Sequence, residues 1–125
     1  MQKLVFTKIF KEDIKSSVKY IKHTLQAPAA AEKLKNEIKN VYKKIKNKPF
    51  MYPIVPDDYL ASQGFRFTMV KKFILVYIVE EKGIHIIRFL YGHRNWVKLL
   101  KKYTGIKMIF RCQFLRYLPT FVLSI

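Results

Sequence analysis

The stretch Gly64–Asn95, GFRFTMVKKFILVYIVEEKGIHIIRFLYGHRN, decides the fold. It reads as three successive antiparallel strands followed by a basic loop. Phe73–Val79 and Ile84–Tyr91 are rich in β-branched and aromatic residues, too short to span a bilayer, and apolar at successive positions. That is the pattern of interior strands covered on both faces. Lys71-Lys72 and Glu80-Glu81-Lys82-Gly83 supply the breaks. Gly83 suits a bend that needs positive φ, whereas the first break has no glycine and requires an ordinary turn or a bulge.

Arg66 and Arg88 interrupt otherwise apolar strands, and Arg94 follows in Gly92-His93-Arg94-Asn95. Desolvating a guanidinium without compensation is expensive, so an arginine in a sheet must be paired or face a water-filled groove. Two readings stay open. Arg66 and Arg88 snorkel or pair with Asp57, Asp58 or Glu80, or together with Arg94 they form a cationic face for a partner.

Working outward toward the N-terminus, residues 3–7 suit a short strand, and Thr7 suits the cap of a helix from Lys8 to Gln26. Phe10, Ile14, Val18, Ile21 and Leu25 recur at helical spacing and define its core-facing stripe. Lys11, Lys15, Lys19 and Lys22 form a basic stripe elsewhere on its surface. Pro28 opens a second helix whose apolar stripe is Ala30, Leu34, Ile38, Val41 and Ile45, ending near Lys48 because Pro49 disfavours helix before it. The two helices form an antiparallel hairpin. Pro49–Ser62, with Pro49, Pro53 and Pro56, is an extended crossing segment whose acids Asp57 and Asp58 serve as caps or turn formers. The expected fold is α+β: an N-terminal two-helix hairpin packed on a curved antiparallel sheet of about four strands, with a short C-terminal helix capped by Asn95.

At 125 residues the chain makes one domain with a modest core, divided here into residues 1–100 and a C-terminal extension, residues 101–125. The extension carries Lys101, Lys102, Lys107, Arg111 and Arg116, no acid, and the apolar end LPTFVLSI. It reads as one more core element, an interfacial membrane segment, or a partner-docking tail. With 25 Lys and Arg against 8 Asp and Glu, the net charge of +17 exceeds what solubility requires and implies an anionic partner. Cys112 is the sole cysteine, which excludes an intramolecular disulfide or a cysteine metal cluster and suits a reducing compartment. The N-terminus is crossed by Lys3, Lys8 and Lys11 and lacks the apolar core of a signal peptide, and no uncharged stretch reaches transmembrane length. A cytoplasmic location is expected, with no membrane partner.

There is no glycine-rich phosphate loop, no paired-histidine zinc spacing and no nucleophile elbow. No metal and no cofactor is expected. Cleaving RNA without metal needs a group to take the 2′-hydroxyl proton, cations for the phosphorane and an acid for the leaving oxygen. His93, Tyr91, Lys71, Lys72, Arg66 and Arg94 have the chemistry to supply these, while His23 and His85 suit structural roles.

The order of helical hairpin, Gly64-x-Arg66, Val70-Lys71-Lys72-Phe73-x-Leu75-x-Tyr77, Ile86-x-Arg88 and Tyr91-Gly92-x-Arg94 resembles the RelE/ParE family of bacterial type II toxins. Asp13-Ile14, Tyr20-Ile21 and Pro28-x-x-Ala31 are similar to that family's hairpin, and the resemblance covers about residues 4–100. It implies a growth-arresting toxin neutralised by a small antitoxin. The unpaired sheet edge and the lysine stripes of the helices suit an extended or helical acidic segment of that partner laid across the hairpin and the sheet edge. RelE-like members cleave mRNA in the ribosomal A site, and ParE-like members inhibit DNA gyrase. The working mechanism is mRNA cleavage, with Arg66, Lys72, His93 and Arg94 as catalytic residues and Lys71, Arg88 and Tyr91 as target-binding residues. The alternatives are gyrase inhibition and a non-toxic nucleic-acid-binding module. Departures from the family pattern are Leu100 where RelE-like toxins carry a tyrosine, Phe73 where tyrosine is common, and Asn95 after the loop arginine.

Overall fold

The computed structural model describes residues 3–92, 95–107 and 122–124. Strand β1 is Leu4–Thr7, and Thr7 does two jobs at its end. Its Oγ1 accepts the Phe10 N–H (3.0 Å), capping helix α1 (Lys8–Lys19), and donates to the Ile87 carbonyl (2.8 Å). A single buried hydroxyl thereby fixes where the helix starts relative to the sheet.

The first helix is shorter than the predicted Lys8–Gln26. After Lys19 the hydrogen bonding widens to a π-type turn over Tyr20–Thr24, closed by Leu25 N–H to the Tyr20 carbonyl (3.0 Å). Gln26, at φ 51°, then reverses the chain. The physical reason is that the stripe has left the sheet: Leu25, predicted to face the core, is exposed. Pro28 opens α2 (Pro28–Asn47) as expected. Its buried stripe is Ala31, Leu34, Ile38, Val41 and Ile45, so Ala31 rather than the predicted Ala30 faces inward. The spacing 31, 34, 38, 41, 45 keeps every member on one side of a 3.6-residue helix.

Strands β2 (Phe65–Val70), β3 (Phe73–Glu80) and β4 (Gly83–Tyr91) form the expected antiparallel meander. β1 adds to β4 in parallel, the chain between them running through the helical hairpin, the crossing segment, β2 and β3, and β5 (Val122–Ser124) pairs antiparallel with β1. The order is β2-β3-β4-β1-β5. Residues of the C-terminal stretch thus return to the sheet as an edge strand.

Both faces of the meander are covered, as its unbroken apolar runs predict. On one face Leu34, Ile38, Val41 and Ile45 of α2 meet Phe6, Phe10, Leu75, Tyr77, Ile84, Ile86 and Phe89. On the other, Ile74, Val76, Ile78, Ile87 and Leu90 meet Val55, Leu60 and Leu100, with Trp96 against Phe67 at 5.0 Å between ring centroids. Each fully buried Leu or Ile contributes roughly 1.5–3 kcal/mol, so the two layers dominate the stability.

The crossing segment ends in a short helix α3 (Asp58–Ser62), capped by the Asp57 carboxylate on the Leu60 N–H (3.0 Å). That hydrogen bond foremost, aided by Lys101, holds the Asp57 carboxyl below its ordinary value. Asn95 caps α4 (Trp96–Lys107) through Lys98 N–H (3.2 Å), as predicted. The β2–β3 connection is a two-residue hairpin in which Lys71 itself takes φ 58°, in place of the ordinary turn or bulge expected. Gly83 serves β1 more than the bend: a Cβ there would lie 2.8 Å from the Lys3 carbonyl oxygen.

Candidate functional site

Arg66 extends from β2 toward the crossing segment. Its guanidinium donates to the Tyr52 carbonyl (2.7 Å) and the Phe50 carbonyl (3.4 Å) and lies 5.0 Å from the Phe50 ring centroid. The expected partners Asp57, Asp58 and Glu80 are not involved, because Ile54 forms a bridge to Arg66 and draws the Phe50–Tyr52 carbonyls over it. Both carbonyls are neutral and accept from Nη1, and among the described residues no carboxylate lies within ion-pair distance of Arg66. Tyr77, the cross-strand partner of Arg66, donates to the Pro49 carbonyl (2.6 Å), and burial pushes its phenol up to about 12. Arg66 and Tyr77 together fasten the crossing segment to the sheet.

Arg88 forms a bidentate pair with Asp13 of α1, Nε to Oδ2 at 2.8 Å and a second nitrogen to Oδ1 at 3.2 Å. Asp13 also accepts the Phe89 N–H (3.1 Å). A bulge makes this possible: Val76 pairs with Arg88 while Tyr77 pairs with Ile86, leaving Ile87 as the extra residue. The partner predicted among Asp57, Asp58 and Glu80 is therefore replaced by a carboxylate on the first helix. Asp13 carries a signal only in hindsight, standing three residues after the buried Phe10 at the margin of the helical stripe.

Lys71, Lys72 and Tyr91 gather at the end of the sheet where β3 begins and β4 ends. Lys71 and Lys72 are exposed in the turn, and Tyr91 pairs in register with Phe73, its ring edge-on at 5.6 Å. Gly92 donates to the Lys72 carbonyl (2.7 Å), and a Cβ at Gly92 would come within 3.0 Å of that oxygen. A side chain there would be held tightly against that oxygen, so glycine eases the approach of the chain leaving β4 to the lysine turn. His93 and Arg94 lie outside the described residues. Arg66 is five residues along β2 from Lys71, roughly 16 Å at the rise of a strand. Of the predicted catalytic set, Arg66 and Lys72 thus stand at opposite ends of β2. Among the described residues no group of three metal-ligating side chains is present.

These features define a class: a small, strongly basic α+β protein whose accessible chemistry is cationic and aromatic. The chain belongs to the ParE family, since the model of "ParE toxin of type II toxin-antitoxin system, parDE" matches residues 4–96. Among solved structures it is similar to the "Chromosomal ParDE TA system from P. aeruginosa", at 20% identity and a TM-score of 0.59, over 73% of this chain and 96% of that one. The likeness extends to the fold. No curated protein matches.

Proposed function

We propose that the chain is the growth-arresting toxin of a type II pair and that it acts in the cytoplasm by binding DNA gyrase without catalysing a reaction. One observation carries this reading: among the described residues, the cations expected for metal-free cleavage do not converge. Such cleavage requires a base, an acid and cations within hydrogen-bond reach of one phosphate. Arg66 is engaged by backbone carbonyls and Arg88 by Asp13, while Lys71, Lys72 and Tyr91 stand at the other end of β2. Two exposed lysines and a partly exposed tyrosine suit an acidic protein surface. The family supports the same reading, its model being that of the ParE toxin.

A second reading, ribosome-dependent mRNA cleavage, is favoured by one feature of that same end. Gly92 bonds the Lys72 carbonyl and stands between Tyr91 and His93-Arg94 in sequence, so a phenol, an imidazole and cations adjoin along the chain. Under this reading Lys72, His93 and Arg94 are the catalytic residues and Arg66 is excluded. With a net charge of +17, the neutralising antitoxin is an acidic polypeptide whose affinity falls as salt rises.

The test runs two assays on one preparation. Purified protein is added to a gyrase supercoiling reaction and to translating ribosomes, with primer extension on the message. Inhibited supercoiling with an intact message is the expected outcome. Codon-specific cleavage with normal supercoiling overturns gyrase as the target in favour of the second reading, and failure of induced expression to slow growth removes both.

A further inference from the structure

The outer surface of α2 lies apart from the sheet end just described. With Ala31, Leu34, Ile38, Val41 and Ile45 turned into the core, helical spacing places Asn36, Asn40, Lys43 and Asn47 along the opposite ridge. Lys39 and Lys46 flank that ridge on one side, and Lys33 and Lys44 on the other. All eight side chains are exposed. Between Glu37 and Asp57 the chain carries no acid. Among the described residues none of Lys33, Lys39, Lys43, Lys44 and Lys46 has a carboxylate within ion-pair distance. Lys15 and Lys19 of α1 and Lys22 of the π-type turn extend the same sign of charge and are exposed as well.

We propose that this ridge binds the phosphate backbone of a nucleic-acid duplex without reading its sequence. Lysines supply point charges for phosphates, and the asparagine amides supply neutral donors to phosphate oxygens. From Lys33 to Asn47 the ridge is about 21 Å long, enough to follow a duplex for more than half a turn. The chemistry discriminates against a membrane surface and a single strand. A membrane-surface helix must offer an apolar strip to the acyl boundary, whereas the apolar stripe of α2 is packed into the core. Single-strand binders interleave aromatic platforms with their cations, and the aromatic residue of α2, Tyr42, packs instead against Phe6 with ring centroids 5.0 Å apart. What remains on the surface is an Asn and Lys ridge suited to a rigid, evenly charged backbone. This role is independent of the target proposed above.

The test uses the full chain and a fluorescent duplex DNA of random sequence, with binding followed by anisotropy from low to physiological salt. The triple variant Lys39→Gln/Lys43→Gln/Lys46→Gln is compared with Lys3→Gln/Lys82→Gln/Lys98→Gln, which removes the same charge elsewhere. The ridge variant is expected to bind at least tenfold more weakly, with the slope of log affinity against log salt reduced by about 3, near 0.9 per lost contact. The control is expected to stay within about threefold of the parent, the size of a uniform charge effect. A duplex RNA of the same length, run in parallel, identifies which duplex is preferred. Equal losses from both variants, no binding at physiological salt, or binding confined to phosphatidylserine vesicles would each overturn the proposal. Circular dichroism of both variants excludes unfolding as the cause.

Discussion

Replacing Asp13 by alanine tests whether Arg88 serves the fold or the target. The substitution takes the carboxylate from a guanidinium whose side chain is 19% exposed and removes the acceptor of the Phe89 N–H. An exposed ion pair is worth about 0.2–1 kcal/mol, while breaking a buried one costs about 3–5 kcal/mol. The lost amide acceptor adds about 1 kcal/mol or more. For a pair between these limits the expected cost is roughly 2–4 kcal/mol, with Tm lowered by roughly 10 °C. Urea unfolding of Asp13→Ala, Arg88→Met and the double variant provides the assay. The double variant is expected to be less destabilised than the sum of the singles, with a coupling of about 1 kcal/mol or more. The reasoning fails if Asp13→Ala costs under about 0.5 kcal/mol and the coupling vanishes. An Arg88→Met protein that keeps full stability but loses toxicity would return Arg88 to the target surface.

Three further outcomes are expected. Gly83→Ala places a Cβ 2.8 Å from the Lys3 carbonyl oxygen, and should cost about 1–3 kcal/mol and speed hydrogen exchange at Ile84, whose N–H bonds that oxygen. The Tyr77 phenol is raised to about 12 by burial, so its neutral form is favoured in the fold; stability is kept below about pH 10 and declines toward pH 12. Tyr77→Phe should flatten that alkaline decline in urea titrations while lowering stability near neutrality by about 1 kcal/mol, through loss of the bond to Pro49. Arg94→Ala, at the position singled out by the family resemblance, should relieve growth arrest with no change in the urea midpoint.

The meander was legible because β-branched and aromatic runs, ended by Lys71-Lys72 and Glu81-Lys82, specify strands locally. The caps at Thr7 and Asn95 and the start at Pro28 are equally local, and each stands where the chain predicts it. What escaped reading depends on distance. Asp13 and Arg88 are 75 residues apart, and neither residue advertises the other. β1 enters in parallel beside β4, which lies far along the chain, and two possible edges cannot be told apart from four residues of strand. Ala30 and Ala31 are chemically identical, so only the phase of the buried stripe selects between them. Lys71 at φ 58° goes against residue preference because the hairpin register between Val70 and Phe73 leaves it no alternative. For the site, the sequence offers the basic residues as one set, without separating those that hold the fold, Arg66 and Arg88, from those exposed at the sheet end.

The account rests on that separation. Its most direct test is inhibition of gyrase supercoiling by Lys71→Glu/Lys72→Glu, with circular dichroism to establish that the fold is retained. Both side chains are exposed and make no ion pair among the described residues, so stability should hold. Half-inhibition is expected to need at least tenfold more protein, about 1.4 kcal/mol of lost binding. Unchanged inhibition by a folded double variant would contradict the assignment of this end of the sheet as the target surface.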